Sequence, residues 1–303
     1  MRRVSKPDPV LFTPVRLGAF NLAHRVVMAA AAPCVATVGN FRWPAVTAYY
    51  RERATFGGLL ISEATHVLAD LHTDAGCPGI YTAAQVNGWR EMTNAVHRQG
   101  GIVLVHLTVP ALKLVQGASL DRIIQGFRSA AENAGDAGFD GVEISAGAGT
   151  LPGALLRGEC KTEPDYSGSL ENRLRLLSEV LETVCGVCES DHVGLWLAPL
   201  RAADLAPALA LLEEQSLAYL HLPACPLDEP DAGITSPDWQ SVRGACRSTA
   251  LVVSEVSLEA LPTGAMQAGA VDAISQSNLF ISNPDLPRRL LQGLPLQAAE
   301  AIP

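Results

Sequence analysis

Two side chains in this 303-residue sequence stand out as able to move a proton, His106 and Glu255. An imidazole exchanges protons near neutral pH and a carboxylate accepts them, so the pair could serve as acid and base if the fold brought them together. Each lies at or near the end of an apolar run, as do Ser145, Thr150 and Trp196. These three, with Ala32, could line and orient a bound molecule. Small and aromatic walls with few donors suit a hydrophobic small-molecule ligand. Such a pocket can hold a reactive conformer or polarise a carbonyl. Cys185-x-x-Cys188 has the spacing of a redox or zinc half-site. It has no second pair and falls late in an amphipathic stretch, so it reads as two small core residues. His24, His66, His72, His97 and His192 show no repeated ligand spacing, and no metal site is expected. No Gly-x-Ser-x-Gly marks a nucleophile elbow.

The elements that must carry these residues are legible as eight short apolar runs. They are Arg25–Ala30, Gly58–Ala64, Gly101–Leu107, Gly141–Ala146, His192–Pro199, Ala218–Pro223, Ala250–Val256 and Val271–Ser277. Most are continuous rather than alternating, as in strands buried on both faces of a parallel sheet. Helical patterns lie between them. One runs from Ala83 to Gln99 and stops at Gly100. Ser119 and Ser169 can cap helices reaching Ala137 and Cys188, and Ser236-Pro237 reads as a cap followed by proline at the first helical position. Eight strands alternating with helices predict an α/β fold, a single (β/α)8 TIM barrel spanning residues 1–303 as one domain. A doubly wound sheet is the rival, but no Gly-x-Gly-x-x-Gly follows the first run. In a barrel the chemistry sits at the C-terminal strand ends, which is where the candidates fall.

With 22 Lys+Arg against 31 Asp+Glu the chain carries a formal charge of −9. That balance argues against nucleic acid or anionic membrane surfaces as partners. Hydrophobic residues at 48% and charged residues at 17% exclude a disordered chain. Seven cysteines in a large chain do not form a secreted disulfide framework. Ser5-Lys6-Pro7-Asp8-Pro9 stands where a signal peptide needs an apolar run, so the expected location is cytoplasmic.

From Leu11 to about Leu294 the sequence resembles the old yellow enzyme family of NADH:flavin oxidoreductases. The resemblance rests on Leu11-Phe12-Thr13-Pro14-Val15-Arg16-Leu17-Gly18, Tyr49-Tyr50-Arg51-Glu52-Arg53-Ala54, Ile61-Ser62-Glu63-Ala64-Thr65, Gly138-Phe139-Asp140-Gly141-Val142-Glu143-Ile144, Ser167-Gly168-Ser169-Leu170-Glu171-Asn172-Arg173 and Asn283-Pro284-Asp285-Leu286-Pro287. It implies a TIM barrel that binds FMN in its mouth and reduces activated alkenes by hydride transfer. At the positions implied to do so the chain departs. Ala30-Ala31-Ala32 replaces Pro-x-Thr, His106 a flavin-binding Gln, Ser145 and Ala148 a His-x-x-Asn, and Thr150 a proton-donating Tyr. Trp196 replaces an Arg, Ser254-Glu255-Val256 a Gly-rich turn, and Ser277-Asn278 a phosphate-binding Gly-Arg. A phosphate monoester carries about −2 charge and wants a guanidinium or free backbone donors. These departures lead to the expectation of no cofactor and a cofactor-independent cyclase or isomerase of specialised metabolism. An FMN-dependent ene-reductase and a non-catalytic pseudoenzyme are the alternatives, and an oligomer is compatible with all three. Glu63, Glu143 and His221 read as scaffold positions.

Overall fold

A computed structural model describes residues 8–30, 43–70, 77–111, 119–159, 164–197, 200–223, 238–254 and 263–297. Ala32 and Glu255 lie outside the described residues, as do Ser236 and Pro237. A short hairpin comes first, β1 (Val15–Leu17) and β2 (Phe20–Leu22), paired antiparallel with Val15 opposite Leu22. Eight parallel strands follow, β3 (Val26–Met28), β4 (Leu59–His66), β5 (Ile102–Thr108), β6 (Gly141–Ala146), β7 (Val193–Leu197), β8 (Tyr219–Pro223), β9 (Ala250–Ser254) and β10 (Ala273–Gln276). They close in chain order, with β10 pairing back onto β3. The eight apolar runs are these eight strands.

The helices outside the barrel start where capping chemistry allows. In α2 (Ala83–His97) the Thr82 hydroxyl accepts from the Gln85 amide at 3.2 Å, and the Gln85 side chain accepts from the Thr82 amide at 3.0 Å. Ser119 and Ser169 cap α3 (Leu120–Asp136) and α5 (Leu170–Cys188). Asp238 caps α7 (Trp239–Ala245) within the described residues, accepting from the Gln240 amide at 3.1 Å. No helix among the described residues is long and apolar enough to cross a membrane.

Side chains alternate across each strand. On β5, Val103, Val105 and Leu107 face outward into the core shared with Ile123 and Phe127 of α3. Leu104 faces inward, packing with Val27, Leu59, Ile61, Tyr219 and Val252. Leu17, Phe20 and Leu22 of the hairpin join that inner cluster from the N-terminal end of the strands. There Ala19 N–H donates to the Asp191 carbonyl at 2.9 Å. The hairpin turns on Gly18 at φ +55°, where any Cβ would lie 2.3 Å from that same carbonyl oxygen. Only glycine fits there.

Candidate active site

The inward positions change character halfway along the barrel. Above the apolar layer stand His106 on β5, Glu143 and Ser145 on β6, Trp196 on β7, His221 on β8, Ser254 on β9 and Ser275 on β10. A bulge in β4 shifts the register between Ile61 and Ala64, setting Ala64 opposite His106. The bulge also aims the Ser62 hydroxyl at β5, where it accepts from the His106 amide at 3.0 Å.

Glu143 is the hub. Its side chain is fully buried. Oε1 lies 2.6 Å from His106 Nδ1, and Oε2 lies 2.8 Å from His221 Nδ1. The Tyr219 hydroxyl donates to Oε2 at 3.0 Å. Gly194 makes that last contact possible, since a Cβ there would sit 2.3 Å from Tyr219 Cζ. Burial by itself raises the Glu143 pKa, but the charges and hydrogen bonds of His221 and His106 overcome it and bring it down to about 2. Tyr219 is pushed well above its ordinary value by burial and by the adjacent carboxylate, so it stays a donor.

An ionised carboxylate only accepts, so both imidazoles turn an N–H at Nδ1 toward it. The two outer nitrogens then differ. His221 Nε2 is occupied by the Ser275 hydroxyl at 2.6 Å. His106 Nε2 has no hydrogen-bond partner among the described residues, and His106 keeps 7% of its surface exposed.

The other candidates divide. Ser145 is buried at the inner face with no hydrogen bond among the described residues. Trp196 packs edge-on against His221, with centroids 4.5 Å apart and planes at 76°. Thr150 is committed elsewhere: its hydroxyl donates to the Gly147 carbonyl at 2.9 Å and accepts from the Gly153 amide at 3.2 Å, capping α4 (Leu151–Leu156). That bonding starts the helix and leaves one acceptor lone pair of the hydroxyl uncommitted. Ser254, named from the sequence only as part of the Ser254-Glu255-Val256 departure, has a buried Oγ with no partner among the described residues. Glu143, read there as scaffold, orients His106, and His221, read likewise, binds the other oxygen of the same carboxylate. The signal was available: a glutamate at an inward position of an otherwise apolar strand needs partners from its neighbours.

Glu63, beside the β4 bulge, contrasts with Glu143. Its Oε1 is buried without a partner among the described residues, and burial raises its pKa to about 8. Cys185 and Cys188 are pushed up to about 11, chiefly by burial, which keeps them as thiols. Glu189, Asp191 and His192 bring possible ligand atoms within 4.8 Å of one another, next to the N-terminal end of β7 and away from the mouth.

The arrangement is that of a (β/α)8 barrel with its polar groups gathered at the C-terminal strand ends. The model of the NADH:flavin oxidoreductase / NADH oxidase family matches residues 10–121 and 112–297, and the chain belongs to that family. It is similar to flavin oxidoreductase hxnT of Emericella nidulans, 31% identical with 98% of this chain and 94% of the relative covered. It is also similar to 12-oxophytodienoate reductase 1 of Oryza sativa subsp. japonica, 30% identical over 94% of this chain and 87% of the relative. Among solved structures, the old yellow enzyme of Trypanosoma cruzi superposes with a TM-score of 0.85 at 26% identity, covering 96% of this chain and 94% of its own. The old yellow enzyme homologue of Zymomonas mobilis gives 0.84 at 29%, over 96% and 94%.

These matches overturn the expectation of a cofactor-free cyclase or isomerase. A family of flavin oxidoreductases covers nearly the whole chain, and relatives matched over most of their length are named reductases. The physical reason lies in what the departures leave behind. The positions held by His106 and Ser254 still present polar atoms at the inner face. Among the described residues those buried atoms have unspent hydrogen-bonding capacity.

Proposed function

We propose that the protein is an FMN-dependent oxidoreductase that reduces activated alkenes at the C-terminal mouth of the barrel. Family membership over residues 10–297 carries this reading. The donor set supports it. The polar edge of a flavin ring alternates carbonyl oxygens with ring nitrogens, and His106 Nε2, Ser145 Oγ and Ser254 Oγ are hydrogen-bonding partners for such an edge. Ala29 and Trp196 supply apolar and aromatic wall. When bound, the cofactor supplies a hydride to the substrate. The chain's own part is to bind the ring, orient the substrate and keep water from the reacting face.

The test is to purify the protein and titrate it with FMN, following flavin fluorescence and the visible spectrum. NAD(P)H oxidation is then measured with and without 12-oxophytodienoate or a simple cyclic enone. Saturable flavin binding with enone-dependent oxidation is the expected result. A protein that binds no flavin at tens of micromolar would refute the reading.

A further inference from the structure

We propose that the protein has a second binding site, away from the mouth and independent of the flavin, for a small organic cation: an amine with an apolar body. The site is a cavity of about 410 Å³ outside the barrel, where the last turns of α3 and α5 meet the start of β6. Its volume is that of a small-molecule site. Ala134, Phe139 and Val142 are buried and give it an apolar floor. Glu132, Asp136 and Asp140 stand on its wall, and among the described residues no Lys or Arg lines it.

The two helices add to that negative field. A helix C-terminus is equivalent to about −0.5 of a charge, and two of them converge here. Neither α3 nor α5 has a basic residue in its last turn to offset it. The cations nearby answer only part of the charge. Arg128 pairs with Glu132 at 3.1 Å on the surface, where an ion pair is worth little. Arg90 donates to the Asp136 carbonyl at 2.8 and 3.0 Å, not to its carboxylate. That carboxylate has no ion partner among the described residues. His97 and the Val103 amide both lie against Oδ2 of Asp140. His192 closes one end of the cavity, with Asp191 and Glu189 beside it. An anion would meet carboxylates and two negative helix ends. A metal ion would answer the carboxylates and leave the apolar floor bare. An ammonium group on an apolar body matches both.

The experiment titrates the full chain with phenethylammonium, followed by calorimetry and by ligand-observed NMR. Binding should saturate with a Kd on the order of 1 mM, as suits a ligand of so few atoms. 2-Phenylethanol, the same body without the charge, should bind several-fold more weakly. Asp136→Asn combined with Glu132→Gln should weaken the amine by roughly three- to tenfold, since each charge sits at the surface. The alcohol should not respond to that change. Gly135 lines the cavity, and a Cβ there would meet nothing within 4 Å, so Gly135→Leu should fold and occupy the space. It should abolish amine binding while flavin binding at the mouth holds. Amine and alcohol binding equally, or amine binding that survives Gly135→Leu, would overturn the proposal. So would no saturable amine binding, or Mn²⁺ binding without any response to the amine, which would make this a metal site instead.

Discussion

The two ends of the barrel are built from the same eight strands and do opposite things. At the N-terminal end the inward residues are Val27, Leu59, Ile61, Leu104 and Val252, stoppered by Leu17, Phe20 and Leu22 of the hairpin. At the C-terminal end they are His106, Glu143, Ser145, His221, Ser254 and Ser275, all buried. One end gains stability by removing apolar surface from water. The other keeps polar groups out of water and must satisfy each of them. Glu143 is satisfied three times over, whereas among the described residues His106 Nε2 and Ser254 Oγ are left unspent. A barrel can leave a few polar atoms unpaired at one end because the other end is closed and dry.

Breaking the hub should have the largest effect. Glu143→Ala strands His106, Tyr219 and His221 without their shared acceptor, and we expect a loss of about 3–5 kcal/mol in urea unfolding. The carboxylate also gives the wild type an acid limb. Because its pKa falls from 4.5 to about 2 on folding, its contribution is complete above pH 4.5. It is lost as pH drops toward 2. A Glu143→Ala variant as stable as wild type would mean that the polar end is not held by its hub.

Leu104→Ala probes the dry end. It opens a cavity one layer below His106 and should cost roughly 2–5 kcal/mol. Flavin titration of the folded variant should move little, and a large change would show that the two ends are coupled.

Glu63 sharpens the comparison from within the polar half. Its pKa rises on folding from 4.5 to about 8, so the folded state prefers the protonated acid. The sign is opposite to that of Glu143: stability declines as pH climbs from 4.5 to about 8 and then levels off. Glu63→Gln removes that slope, and its advantage over wild type at pH 8.5 should reach a few kcal/mol at most. Urea midpoints at pH 5 and 8.5 measure it; parallel shifts at both would refute the assignment.

The smallest effect concerns the ligand's phosphate. Barrel phosphate sites commonly lie after the seventh and eighth strands. From Ser254 to Ser282 the sequence has no Lys or Arg, and it contains Glu255, Glu259 and Asp272. Riboflavin should therefore bind within about tenfold of FMN, a difference under ~1.4 kcal/mol. A hundredfold preference for FMN would reveal a cationic contact that the sequence of this segment does not supply.

The strands were legible because burial on both faces writes itself as a continuous apolar run. Ser119 and Ser169 announced their helices because capping chemistry is local. The hairpin was read only as part of a family motif, since three-residue strands such as Val15–Leu17 carry too little pattern to show a period. At the site, His106 was legible as a polar residue in an apolar run, but its partner was not. Glu255 was paired with it on the ground of shared location at strand ends. Glu255 lies outside the described residues; the structure joins His106 to Glu143, which the sequence hides because register between neighbouring strands decides who faces whom. Thr150 shows the converse: a hydroxyl just past a strand end was read as a ligand group, and the sequence did not show that it also caps the helix that follows.

The stopper hairpin also bears on how the chain is made. Residues 15–22 leave the ribosome early, yet their seat is formed by Gly141, Asp191 and Ala218. At ~5–20 residues per second, the roughly 200 positions from Gly18 to Ala218 take roughly 10–40 s to synthesise. Throughout that interval the seat of Leu17, Phe20 and Leu22 is incomplete. A nascent chain stalled before β8 should be a good client for chaperones, and one stalled after it a poor one.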